Sequence, residues 1–155
     1  MGLNVQYCNN YKTLKNYDEV KQWMTNQYSK FNGLYFDNML PQKDMIIFEP
    51  VIKKVSYAGC AYDNDVKFPS SEFPYKIRLN FIYDMPEIEW QNVLLHEMIH
   101  IWQYTCGYEG GHGKTFRMKA KEINSYGWGI TTKYKDILND IGYARDREKN
   151  ITASD

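Results

Sequence analysis

The chain has 155 residues, enough for one hydrophobic core and too few for two. Its 19 basic and 19 acidic residues cancel, which removes any overall electrostatic case for a nucleic acid or a membrane surface as partner. No apolar run is long enough to span a bilayer and no secretory signal pattern opens the chain. The three cysteines, Cys8, Cys60 and Cys106, form no C-x-x-C pair, so a reducing cytoplasm is the expected compartment.

The first element is a helix from about Asp18 to Asn32, because Val20, Trp23, Met24, Tyr28 and Phe31 recur at helical spacing. Asn32-Gly33 reads as its stop, and the segment from Leu34 to Pro41 as a compact apolar connection. Three strand-like runs follow: Met45 to Glu49, Val51 to Tyr62, and Tyr75 to Tyr83. The turn-rich stretch from Asp63 to Pro74 separates the last two. A helix is expected next, with Asp84 as its cap, Glu87 completing a capping box, Pro86 in its first turn and Gly107 as its stop. Leu94, Leu95, Met98, Ile99, Ile101 and Trp102 make it apolar over most of its circumference, the mark of a helix buried in a core. A further helix spans about Lys114 to Ser125, with Phe116, Ala120 and Ile123 inward. Ile130 to Tyr134 reads as a short extended piece and Lys135 to Tyr143 as helical, and the charged last dozen residues as frayed. One helix, a small sheet and then helices is an α+β arrangement.

All three histidines of the chain fall in one short stretch. His96-Glu97-Met98-Ile99-His100 is an H-E-x-x-H motif on the buried helix, and His112 follows between Gly111 and Gly113. Positions i and i+4 of a helix lie about 40° apart, so two imidazoles placed there can hold one Zn²⁺ from the same face. Glu97 is rotated about 80° from the midway direction of the pair, beside the metal's open position, where a general base can relay a proton. Ligation also compensates the burial of a polar pair in an apolar helix. The third ligand is His112 or the nearby Glu109, and the flanking glycines favour His112 because they let its backbone approach closely. Glu89, Val93, Gln103 and Tyr104 share the histidine face and are candidates to line the cleft.

Charge is mildly uneven: residues 1–112 carry 10 Lys/Arg against 13 Asp/Glu, and residues 113–155 carry 9 against 6. Lys114, Arg117 and Lys121 are spaced for one helix face directly after His112, a stripe suited to nucleic-acid phosphates or simply to solvent.

Segments on both sides of the motif resemble the SprT-like metalloprotease family, the family of the Spartan-type proteases of DNA–protein crosslink repair. Leu34-Tyr35-Phe36 through Leu40-Pro41 is similar to its F-x-x-x-L-P segment, Ala58-Gly59-Cys60 to its small-residue strand, and Ile77-Arg78-Leu79-Asn80 to its I-x-L-N strand. Leu94 to His100 follows the family's zinc motif, His112-Gly113-Lys114-Thr115-Phe116 its H-G-x-x-F segment, and Ile123-Asn124 with Gly127 and Ile130-Thr131 its ending. The resemblance implies a single zincin-like domain over residues 1–155, with its core at about 17–134 and a C-terminal helix and tail at 135–155. It implies one zinc ion on His96, His100 and His112, Glu97 as general acid/base, and a protein or peptide substrate, including proteins on DNA. Many members carry a C-terminal zinc ribbon, and no cysteine follows Cys106 here. The strand at Ile77 to Ile82 is expected to align an extended substrate as an edge strand, and Tyr134 is a candidate oxyanion donor. Two other readings stay open: a non-catalytic zinc-stabilised module that binds DNA or protein, its site closed by Cys106 or Glu109, and a repressor-cleaving zincin with an acidic third ligand.

Overall fold

The computed structural model describes residues 2–8, 13–63 and 75–133. The first helix, α1, runs Tyr17–Tyr35 and buries Val20, Trp23, Met24, Tyr28 and Phe31, the residues whose spacing announced it. It does not stop at Asn32-Gly33. The helix continues past Gly33, and the left-handed turn falls on Asp37 and Asn38, with φ of 52° and 59°. Asn32 has a different task. Its buried carboxamide accepts from the Leu40 N–H (3.1 Å) and donates to the Leu40 carbonyl (3.3 Å), satisfying both backbone polar groups of that residue.

Three strands, β1 (Ile46–Val51), β2 (Gly59–Asp63) and β3 (Tyr75–Asn80), form a sheet in the order β1-β3-β2. β3 is parallel to β1, with Phe48 opposite Ile77, and antiparallel to β2, with Gly59 opposite Leu79. The expected middle strand is therefore split. Val51 ends β1, residues 52–58 have no regular structure, and only Gly59 onward is strand. The buried Asn80 side chain explains how that connection is held, bonding Lys53 N–H (3.0 Å), Lys53 O (2.9 Å) and Tyr57 O (3.1 Å). One face of the sheet packs Ile46, Phe48, Ile77 and Leu79 against the helices. On the other, Glu49 pairs with Lys76 (2.5 Å) and Arg78 (2.8 Å).

The next helix, α2, spans Glu87–Cys106 and is buried nearly all round. Its N-cap is Pro86, not Asp84, and no capping box forms. Instead the Glu87 carboxylate accepts from the Leu3 N–H (3.1 Å) and the Trp23 indole N–H (2.8 Å), because a largely buried indole donor needs an acceptor. Gly107 ends α2 in the left-handed region (φ 74°), as its sequence position predicts. Helix α3 covers Lys114–Asn124, with Phe116, Ala120 and Ile123 inward as expected. Residues 130–133 form no strand, and the expected helix at Lys135 to Tyr143, together with Tyr134, lies outside the described residues. The described elements share one hydrophobic core. Among the described residues no helix is long and apolar enough to cross a membrane.

Candidate metal centre

Helix α2 projects His96 and His100 one turn apart, and the loop before α3 returns His112 to them. The His96 Nε2 atom lies 3.3 Å from His100 Nε2 and 3.0 Å from His112 Nε2. The Phe116 ring, one turn into α3, packs on all three imidazoles at centroid distances of 4.6, 5.0 and 4.9 Å. Exposure rises across the set: His96 is buried, His100 half-buried and His112 exposed. The metal-capable group among the described residues is these three histidines, without Glu109 or Cys106, so the acidic third ligand and the closing fourth ligand find no support.

Hydrogen bonding dictates which ring nitrogens face one another. His96 Nδ1 lies 2.9 Å from the Thr131 carbonyl oxygen, which can only accept, so the proton sits on Nδ1 and the Nε2 lone pair points into the cluster. His100 Nδ1 lies 2.8 Å from Gln103 Oε1, with the same consequence. Nitrogen lone pairs this close repel unless a cation lies among them. Burial, reinforced by the His100 and His112 charges, lowers the His96 pKa to about 3. Burial lowers that of His100 and of His112 as well. All three rings are thus held neutral, the form that ligates.

The Glu97 carboxylate faces Gly59 of β2. Its side chain is 4 % exposed, no hydrogen bond from a described residue reaches it, and burial pushes its carboxyl up to about 8. A Cβ on Gly59 would stand 3.0 Å from Glu97 Oε2 and 3.0 Å from Val93 Cγ1, so the bare Gly59 backbone forms the wall over the carboxylate. A buried acid without a partner is costly. The three nitrogen donors that precede and follow it in the chain fit a divalent ion.

The four residues expected to line the cleft divide. Val93 packs beneath Gly59, and Gln103 bonds His100. The Tyr104 hydroxyl lies 3.4 Å from the Ala61 carbonyl oxygen. Glu89 sits two turns before His96 in a half-exposed position. Lys114, Arg117 and Lys121 are all exposed on α3, but only Arg117 and Lys121 border a cleft of about 360 Å³, whose walls include Phe116, Thr131 and Thr132. The resemblance marked Phe116 and Thr131 as parts of its segments but not their roles beside the histidines, since a backbone carbonyl and an apolar residue at core spacing leave no local signature of what they contact.

The expectation that Ile77 to Ile82 offers a free edge is overturned, because β3 is the central strand, with β1 on one side and β2 on the other. The edge nearest the site is β2. The Asn80 N–H donates to the Ala58 carbonyl (2.7 Å), which makes that pair hydrogen-bonded in the antiparallel ladder. Alternation then turns the peptide groups of Cys60 and Tyr62 towards β3, and those of Gly59 and Ala61 outwards.

A comparison with curated proteins finds no match. The model of the SprT-like family, however, matches residues 24–136, from within α1 to beyond α3, and so takes in both halves of the histidine cluster. With most of the chain matched and the three histidines assembled around Phe116, this protein belongs to the SprT-like family.

Proposed function

We propose that this protein is a zinc-dependent endopeptidase that hydrolyses peptide bonds in extended or unfolded protein segments. The observation that carries the reading is the assembled cluster of His96, His100 and His112, with the buried Glu97, to which no described residue hydrogen-bonds, next to His96 on α2. His96, His100 and His112 would hold the ion, and three nitrogen donors leave a coordination position open. Zinc in such a site supplies Lewis acidity to a water molecule and to the substrate carbonyl. Glu97 accepts the proton of the attacking water and delivers it to the departing amine nitrogen, a role for which a carboxyl with its pKa raised by burial is suited. The outward peptide groups of Gly59 and the Ala61 N–H pair with the substrate backbone as an added strand. Gly59 lets that strand lie directly over the carboxylate.

The test compares zinc-loaded wild type with Glu97→Gln on an unfolded polypeptide, with zinc content measured in both. Loss of about 10²–10⁴-fold in rate at equal zinc supports the reading. Equal cleavage by the two proteins removes Glu97 from the mechanism.

The Arg117 and Lys121 cleft supports a DNA-associated substrate, since two exposed cations border a groove that shares Phe116 and Thr131 with the histidine cluster. Single-stranded DNA then stimulates cleavage at low salt, and the stimulation fades as salt rises. Three free thiols support a reducing, cytoplasmic setting.

A further inference from the structure

Gln103 follows His100 by three residues on α2 and is fully buried, at 0 % exposure. An amide buried this deeply must satisfy two donors and an acceptor. Gln103 Nε2 donates to the Gly111 carbonyl (3.0 Å) and to Thr115 Oγ1 (3.0 Å), while Oε1 lies 2.8 Å from His100 Nδ1. These bonds admit one solution. A backbone carbonyl only accepts, so the NH₂ end of the amide must face Gly111. The oxygen end is left for His100 and also only accepts, so the His100 proton must lie on Nδ1. The His100 Nε2 lone pair therefore points at His96 Nε2, 3.3 Å away. The amide orientation that assigns the tautomer thus begins at a peptide group in the loop that carries the third histidine.

The geometry points to Gln103 as the positioning residue of the metal centre, which selects the His100 tautomer and clamps the loop carrying His112. Its two donors engage residues on either side of His112: Gly111 immediately before it and Thr115 in the first turn of α3. Gly111 has a φ of 92°, a conformation open to glycine, and it is the Gly111 carbonyl that Gln103 receives. His112 is itself exposed, and no hydrogen bond from a described residue anchors its Nδ1. Its place in the cluster therefore depends on the loop, and the loop depends on Gln103. One side chain orders the helix-borne and the loop-borne ligand together, so that three donors are presented at once. This rests on reading the three histidines as metal ligands.

Metal-free wild type gives the first test. Long-range ¹⁵N–¹H NMR of the imidazoles at neutral pH is expected to show His100 as the Nδ1–H tautomer, and an Nε2–H tautomer overturns the proposal. The second test measures zinc affinity by chelator competition, with the Co²⁺ absorption spectrum as a report of ligand geometry. Gln103→Leu should bind zinc about 10–100-fold more weakly and alter the cobalt spectrum. Gln103→Glu keeps an acceptor for His100 but sets an anion against the Gly111 carbonyl. It should hold the tautomer, lose affinity and lose the His112 contribution to the spectrum. Thr115→Val removes one clamp bond and should cost a few-fold. A folded Gln103→Leu with wild-type affinity and spectrum overturns the assignment. If that variant does not fold, the wild-type tautomer and Thr115→Val decide. A wild type that binds neither zinc nor cobalt instead sinks the metal centre itself.

Discussion

Gly59→Ala isolates the contact between the edge strand and the proposed general base. The added Cβ would meet Glu97 Oε2 at 3.0 Å, Val93 Cγ1 at 3.0 Å and the Arg78 carbonyl at 3.2 Å. Carbon packs best at about 3.5–4.0 Å from its neighbours, so the shortfall is roughly half an ångström at three atoms together. The neighbours differ in what they can yield. The Arg78 carbonyl belongs to the central strand, paired on both sides, and Val93 is fully buried on α2. Glu97 Oε2 is the end of a flexible side chain that no described residue bonds, so the carboxylate moves first. Overpacking costs about 1–3 kcal/mol, offset by about 0.4–1 kcal/mol from the lower entropy of the unfolded chain. The net loss of stability should thus be no more than about 2.6 kcal/mol. Catalysis should suffer more, by about 10–100-fold in kcat, because a general base displaced by a fraction of an ångström loses its alignment. The assay reads kcat and KM on an unfolded polypeptide beside zinc content and Tm, and Gly59→Val should extend the trend. A Gly59→Ala protein with full zinc and wild-type kcat would refute the claim that β2 sets the position of Glu97.

Phe116→Ala removes a ring that is 1 % exposed and packed on all three imidazoles, so chemical denaturation should show a loss of about 3–5 kcal/mol. Zinc affinity measured below the denaturation midpoint should fall with it. On the far face of the sheet, burial raises the Glu49 carboxyl pKa, but Lys76 and Arg78 together outweigh it and hold the group below the usual carboxylate range. A depressed folded-state pKa means the stabilisation is present above about pH 4.3 and lost as pH falls through the folded value. Glu49→Gln should therefore lower stability by about 1 kcal/mol near neutrality and leave it unchanged well below that range, a difference that urea titrations at two pH values will read. If DNA docks along the α3 cleft, Arg117→Glu with Lys121→Glu should abolish stimulation by single-stranded DNA at low salt while basal cleavage persists. A salt slope identical to that of wild type would move the DNA elsewhere.

The helices were legible because their information is local. The spacing of Val20, Trp23, Met24, Tyr28 and Phe31 reproduces the buried face of α1, and the bounds of α3 fall within a residue of expectation. Gly107 ends its helix where a left-handed residue was required. What misled was chemistry with two uses. Asn32 beside Gly33 reads as a stop, yet it serves as a clamp on Leu40, and Glu87 reads as a capping partner, yet it serves Trp23 and the N-terminal arm. Each residue type suits both roles. The choice lies with buried partners far away in sequence.

The same division separates what the sequence alone determined from what the tertiary structure decided. The i, i+4 spacing of His96 and His100 and the glycines around His112 announced a cluster that could hold a metal ion, because helical periodicity converts spacing into a shared face. Strand order, by contrast, depends on pairing between distant segments. Only the fold could place β3 in the centre, leave β2 at an edge of the sheet among the described residues and set Gly59 over Glu97. Only the fold could bring the Thr131 carbonyl behind His96 and make Gln103 a bridge between His100 and the loop that carries His112.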